Sequence, residues 1–197
     1  METKLCVNCF ESIDTSIGQG EICPNCGFNN NNTVKNALSY YSKLNNKYII
    51  GRVISANSQG LTYIGYNEQE CVKVKIQEFF PSTLVYRNNS QVFASKENIA
   101  HYDKYYNEFI EMAKKLPKAN TLHGFIPVID VFTQNNTCYI VYEYVEFITL
   151  KSYVENKGGV LDYNEFQELF IPLLNTLSGM NSLGIKHLGI SPQTLKV

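Results

Sequence analysis

The sequence has no surplus of positive charge, since 17 Lys and Arg stand against 18 Asp and Glu for a formal net charge of −1. That balance disfavours a dedicated nucleic-acid binder and a protein drawn to anionic lipid. No run approaches the about 18–20 apolar residues of a membrane span, so none is expected. The opening residues, Met1-Glu2-Thr3-Lys4-Leu5-Cys6, lack the basic and apolar regions of a secretory signal, which points to a cytoplasmic protein. Large apolar side chains are scarce in residues 1–28, so this segment cannot fold on hydrophobic burial alone and needs a staple. No internal repeat is present. The six cysteines do not read as a disulfide scaffold either: four form two C-x-x-C pairs, and Cys71 and Cys138 stand alone in apolar, strand-like runs.

The two pairs, Cys6-Val7-Asn8-Cys9 and Cys23-Pro24-Asn25-Cys26-Gly27, give the spacing C-x2-C-x13-C-x2-C. Two residues between cysteines allow a tight turn that aims both thiolates at one ion while backbone N–H groups point at the sulfurs. Four thiolates close a tetrahedral site and leave no open position, so Cys6, Cys9, Cys23 and Cys26 are expected to hold a structural zinc. The competing readings are two local disulfides or a redox C-x-x-C, and the latter wants a βαβ context that is absent. Lys4 faces Glu2, Glu11, Asp14 and Glu21, so this ribbon attracts phosphate weakly, and protein contact or capping is the expected use.

Residues 29–46 open with four asparagines and read as an Asn-rich linker. From Tyr48 short β-rich runs follow, at 48–56, 61–66, 71–76, 125–133 and 137–143, the last two flanking the turn-forming Gln134-Asn135-Asn136. Between the third and fourth runs, residues 101–116 carry Tyr102, Tyr105, Tyr106, Phe109, Ile110, Met112, Ala113 and Leu116 close to helical spacing. After Glu143 a short helix is expected at 150–156. A long one is opened by the Asp162-x-x-Glu165 capping box, with Pro172 as a potential kink. The fold class is α+β: a five-stranded antiparallel sheet with one inserted helix, then helices.

Five segments in order carry a resemblance: Tyr48-Ile-Ile-Gly-Arg-Val53, Gly60-Leu-Thr-Tyr-Ile-Gly-Tyr66, Glu78-Phe-Phe-Pro81, Tyr139-Ile-Val-Tyr-Glu-Tyr144 and Ile190-Ser-Pro192. Residues 47–197 resemble bacterial eukaryotic-like serine/threonine protein kinases, in particular the subgroup with an N-terminal zinc ribbon. The resemblance implies a ribbon at 1–28, a linker at 29–46 and a kinase-like domain at 47–197. Within that domain it implies an N-lobe at 47–143 and a truncated C-lobe at 144–197.

The same resemblance shows which parts of phosphoryl transfer are missing. Where the family has G-x-G-x-x-G, this chain reads Ser55-Ala-Asn57-Ser-Gln-Gly60, with only the last glycine kept. Anchored on Glu78-Phe-Phe-Pro81, the phosphate-binding lysine falls at Gln77 and the residue roofing the adenine at Lys75. The alternative register makes Lys75 the family lysine but needs a two-residue insertion. Met112, before Ala113, takes the place of the helix glutamate, and Glu111 lies about 100° around the helix. Gly189 stands for the catalytic aspartate and Thr194 for the metal-binding asparagine, while His187 is retained as a fold residue. ATP and Mg2+ thus lose their principal ligands, leaving Lys75, Gly60, Glu143 and Val145 as remnants of a nucleotide site. Tyr142 is the bulky gatekeeper.

The expected function is therefore a non-catalytic, kinase-like protein with a structural zinc ribbon that acts in protein interaction or regulation. The long helix from Asp162 would keep an uncovered apolar face, which implies a protein partner or self-association. One alternative is a serine/threonine kinase domain, represented by an incomplete chain, that binds ATP. The other is a zinc-ribbon nucleic-acid module, against which the acidic balance weighs.

Overall fold

The computed structural model describes residues 3–14, 22–186 and 189–197. The chain divides into two compact units, residues 1–111 with 129–144, and residues 112–128 with 145–197.

In the first unit β1 (Thr3–Leu5) pairs antiparallel with β2 (Ser12–Asp14) beside the cysteine turns. A six-stranded sheet follows, made of β3 (Lys43–Leu44), β4 (Tyr48–Asn57), β5 (Gly60–Asn67), β6 (Val72–Phe79), β9 (Val128–Gln134) and β10 (Thr137–Glu143), in the order β3-β4-β5-β6-β10-β9. The expected sheet of five therefore has a sixth member. β3 is too short to show a pattern, and it forms because Asn45 and Asn46, both at positive φ, turn the chain back onto β4 and bury Leu44. A separate hairpin, β7 (Val85–Asn88) with β8 (Gln91–Ala94), was not expected and turns at Asn89. The turn at Asn135-Asn136, both left-handed, joins β9 to β10 as its asparagines predict.

β6 shows how the sheet is covered. Val74, Ile76 and Glu78 are buried and alternate with half-buried Lys73, Lys75 and Gln77, as a period of two requires. Phe79 ends the strand against helix α1 (Ile99–Ala113), stacking 5.8 Å from Tyr102 and lying 4.7 Å from Phe109 between ring centroids. On the face bearing Glu78 a polar cluster is buried. Glu78 accepts from Tyr63 Oη (2.7 Å), Tyr139 Oη (2.8 Å) and Arg87 Nη2 (2.6 Å), and Arg87 also donates to the carbonyls of Asn36 and Ser90. Every member is satisfied, which is the condition for burying a carboxylate. Residues of the 29–46 segment join the same face: Leu38 is buried and its N–H donates to Tyr63 Oη at 3.1 Å.

In the second unit α2 (Leu150–Asn156) is capped by the Thr149 hydroxyl, and α3 (Tyr163–Ser182) by the complete Asp162–Glu165 box. α3 runs through Pro172 as one element. Gly179 lets it approach residue 122 closely, because a Cβ there would stand 2.6 Å from a Leu122 methyl. The final residues return to α2 through the Thr149–Lys196 bridge and the mutual backbone hydrogen bonds of Ile148 and Val197. No helix among the described residues is long and apolar enough to cross a membrane.

Candidate functional site

The two cysteine turns are built alike. Phe10 N–H donates to the Cys6 carbonyl and Gly27 N–H to that of Cys23, and the residue after each second cysteine is left-handed, with φ 60° at Phe10 and 69° at Gly27. Glycine adopts that conformation freely, whereas a phenylalanine there costs about 1–2 kcal/mol. Phe10 is compensated by burial and by stacking 5.3 Å from Tyr66. The turns bring Cys6, Cys9, Cys23 and Cys26 together, with all four sulfurs within 4.8 Å of one another. Cys6 Sγ lies 3.7 Å from Cys26 Sγ, and Cys9 Sγ 3.6 Å from Cys23 Sγ.

These close pairs run between the turns and not within them, and none of the six cysteines is in a disulfide. Metal–sulfur bonds of about 2.3 Å in a tetrahedron separate sulfurs by about 3.8 Å, so the four fit one ion. Four cysteines here can hold a metal. Their surroundings treat the thiols unequally, raising Cys6 and Cys9 and lowering Cys26. Burial pushes the Cys6 thiol up to about 12. Burial also raises Cys26, but hydrogen bonds from the Asn8 side chain, the Phe28 backbone and the neighbouring Cys9 and Cys23 thiols together outweigh it and bring that thiol down to about 6.

The middle asparagines of the turns were not singled out in the sequence. Asn8 Nδ2 donates to Cys26 Sγ (3.4 Å) and Asn25 Nδ2 to Cys9 Sγ (3.7 Å), so each turn supports the last sulfur of the other. The signal was present, an asparagine at the same place in both C-x-x-C turns.

The remaining positions singled out in the sequence separate by unit. In the first, Asn57 and Gly60 close the β4–β5 hairpin, and Asn57 Oδ1 accepts from the N–H groups of Gln59 (2.9 Å) and Gly60 (3.1 Å). These amides would otherwise be available to an anion. Gly60 has a packing reason, because a Cβ there would lie 1.9 Å from the Glu78 carbonyl oxygen. Lys75 and Gln77 share a face with Tyr142, whose ring lies 4.4 Å from Lys75 Nζ and whose hydroxyl bonds Gln77 Oε1 at 3.2 Å. β6 pairs without a register break from Val72 to Phe79 with β5. Glu143 ends β10 and is exposed, and the boundary between the units falls between Tyr144 and Val145.

In the second unit Met112 is half-buried in the last turn of α1. Gly189 and Thr194 meet directly: the Thr194 hydroxyl lies 2.7 Å from the Gly189 carbonyl and accepts the Ser191 N–H at 2.9 Å. His187 lies outside the described residues.

No family model matches the sequence. Over 72 residues, 36% of this chain, it is 38% identical to a probable serine/threonine-protein kinase of Clostridium perfringens, and the match spans 10% of that protein. The apo form of PpkA-294 superposes with a TM-score of 0.72 at 22% identity, covering 82% of this chain and 58% of its own. The kinase domain of Mycobacterium tuberculosis PknI superposes at 0.61 and 14% identity, covering 82% of this chain and 59% of its own. The fold is kinase-like over the part these structures share with it. The chain spans less than two thirds of the length of each of these proteins. The kinase-like sheet thus carries, on the same compact unit, a four-cysteine centre able to hold a metal.

Proposed function

We propose that this chain is a non-catalytic, kinase-like protein, cytoplasmic, with a structural zinc ribbon, that works through protein contacts. The observation that carries this reading is the Gly189–Thr194 hydrogen bond. At the two positions where the resemblance calls for a proton-accepting aspartate and a metal-binding asparagine, a glycine carbonyl is bonded by a threonine hydroxyl, and no carboxylate is supplied. Gln77 and Met112, in place of the lysine and its glutamate, support the same reading, and the pairing of β6 with β5, free of any bulge from Val72 to Phe79, suits the register without an insertion after Lys75. Zinc is favoured for the four cysteines because a closed all-thiolate tetrahedron suits it. Protein contact is supported by α3, where Tyr163, Phe166, Ile171 and Leu174 are exposed.

The test is a thermal-shift titration of the zinc-loaded chain with Mg-ATP, run beside a phosphoryl-transfer assay on a generic protein substrate. No transfer and no saturable shift are expected, since binding to the native state must raise the midpoint by mass action. Transfer above background would overturn the reading. A saturable, Mg-dependent rise without transfer would favour the second reading, a nucleotide-binding module in which Lys75 replaces the family lysine, for which the shared face of Lys75, Gln77 and Tyr142 is the supporting observation.

A further inference from the structure

The Cys6–Cys9 turn is seated on the sheet. β4 and β5 lose register between Ile50 and Val53 and again between Val53 and Ser55. At this irregularity the Arg52 N–H donates to the carbonyl of Val7, between two of the cysteines, at 2.8 Å. A β-bulge frees ladder groups for other partners, and here the partner is the cysteine turn. The Arg52 side chain goes to the same place: Nε donates to Asn8 Oδ1 at 2.6 Å, and the guanidinium lies 5.3 Å from the Phe28 ring centroid.

Asn8 thereby bonds the strand with its oxygen and the Cys26 sulfur with its nitrogen. The fit is close, for a Cβ on Gly51 would stand 2.3 Å from the Val7 carbonyl oxygen. Around the turn, Val7 N–H donates to buried Asn30 Oδ1 (3.0 Å) and Tyr41 Oη to the Leu5 carbonyl (2.6 Å). The ribbon's own core is small, with Cys6, Ile13 and Cys23 buried and Cys9 and Phe28 packed against them.

We propose that the metal centre and strand β4 are coupled through Asn8 and Arg52, so that metal occupancy sets the order of β4 and of the 57–60 hairpin to which it leads. This rests on reading the four cysteines as a metal centre. Two of the four ligands and Ile13 make up the ribbon's buried core, so removal of the ion releases the turn. Arg52 then loses its backbone acceptor and its asparagine together. Coupling is reciprocal, so whatever loosens the Arg52 contact lowers the affinity for the ion. Arg52 is a positioning residue for a site it does not ligate.

The experiment is amide hydrogen exchange on the full chain, zinc-loaded and then stripped by a chelator under reducing conditions, with zinc content measured in parallel. Stripping is expected to speed exchange in residues 48–57 by about tenfold or more, as well as in the ribbon. The variant Arg52→Lys keeps the backbone bond and loses the Nε bond to Asn8. Its zinc affinity is expected to fall about tenfold, the low end for an outer-shell partner, with an unchanged circular dichroism spectrum. Zinc binding with exchange altered only in residues 3–30 would overturn the coupling and leave the metal centre standing. An unchanged affinity in Arg52→Lys would remove Arg52 from it. A reduced, purified chain that binds no zinc would overturn both.

Discussion

Replacing Arg87 by methionine isolates the buried charge pair that Arg87 of the β7–β8 hairpin makes with Glu78 of β6. The Arg87 and Glu78 side chains are 4% and 0% exposed, and the guanidinium reaches the carboxylate at 2.6 Å while lying 4.8 Å from the Phe80 ring centroid. Methionine keeps the apolar stem and its packing but leaves Glu78 with two phenol donors and no positive charge, and it leaves the Asn36 and Ser90 carbonyls without their donor. Removing one member of such a pair costs about 3–5 kcal/mol, because the remaining ion stays desolvated. At about 2–4 °C per kcal/mol for a chain of this size, the midpoint should fall by about 6–20 °C. The assay is thermal unfolding of the zinc-loaded chain followed by far-ultraviolet circular dichroism, with Glu78→Gln/Arg87→Met as the companion. The double variant should be more stable than Arg87→Met alone, since it removes the stranded charge. A cost below about 1 kcal/mol, the range of exposed pairs, would refute the claim that Glu78 is held away from water.

Gly60→Ala should cost about 1–3 kcal/mol or more in the same assay, because its Cβ meets the Glu78 carbonyl oxygen at 1.9 Å and the Phe80 nitrogen at 2.7 Å. An unchanged midpoint would show that this glycine is not kept for packing. Burial, with the Glu78 carboxylate adding to it, holds the Tyr63 and Tyr139 hydroxyls well above their ordinary range. The unfolded chain therefore releases these protons first, so stability is intact below about pH 10 and is lost as pH rises beyond it. Tyrosinate absorbance should show these two among the 14 tyrosines ionising together with unfolding, and their ionisation in the folded chain would contradict the structure.

The sequence made legible what is local. Both cysteine turns, the Asn135-Asn136 hairpin, the Asp162–Glu165 cap and the stripe through Tyr102 and Phe109 are each encoded within a few residues, and each is found where its pattern placed it. What escaped is short or long-range. β3 is two residues and β7 four, too few for alternation to show, and nothing around Arg87 signals that β7 will bring it to Glu78. The segment at 29–46 is polar in composition, yet it buries Leu38, whose N–H meets Tyr63 from a strand distant in sequence, and Leu44, which the Asn45-Asn46 turn folds back onto Tyr48. Nothing near Arg52 signals that its N–H leaves the ladder for Val7. The same holds for Asn57: its identity marked a lost glycine, but only the folded hairpin shows its side chain occupying the amides of Gln59 and Gly60.

β6 separates the residues that hold the fold from those at the positions singled out for a nucleotide. Its two faces do different work. Val74, Ile76 and Glu78 point into the packed side, where Tyr63, Tyr139 and Arg87 complete the buried network, whereas Lys73, Lys75 and Gln77 lie on the half-buried face with Tyr142 and Tyr144. The cost of a substitution follows the face on which it falls. A change at Gln77 forfeits at most its bond to Tyr142, a contribution of about 1 kcal/mol, while a change at Glu78 or its partner strands a buried charge. Gln77→Lys should accordingly lower the stability read in the same assay by no more than that amount, several-fold less than Arg87→Met. A loss at Gln77→Lys as large as at Arg87→Met would mean that the two faces of β6 are not separable.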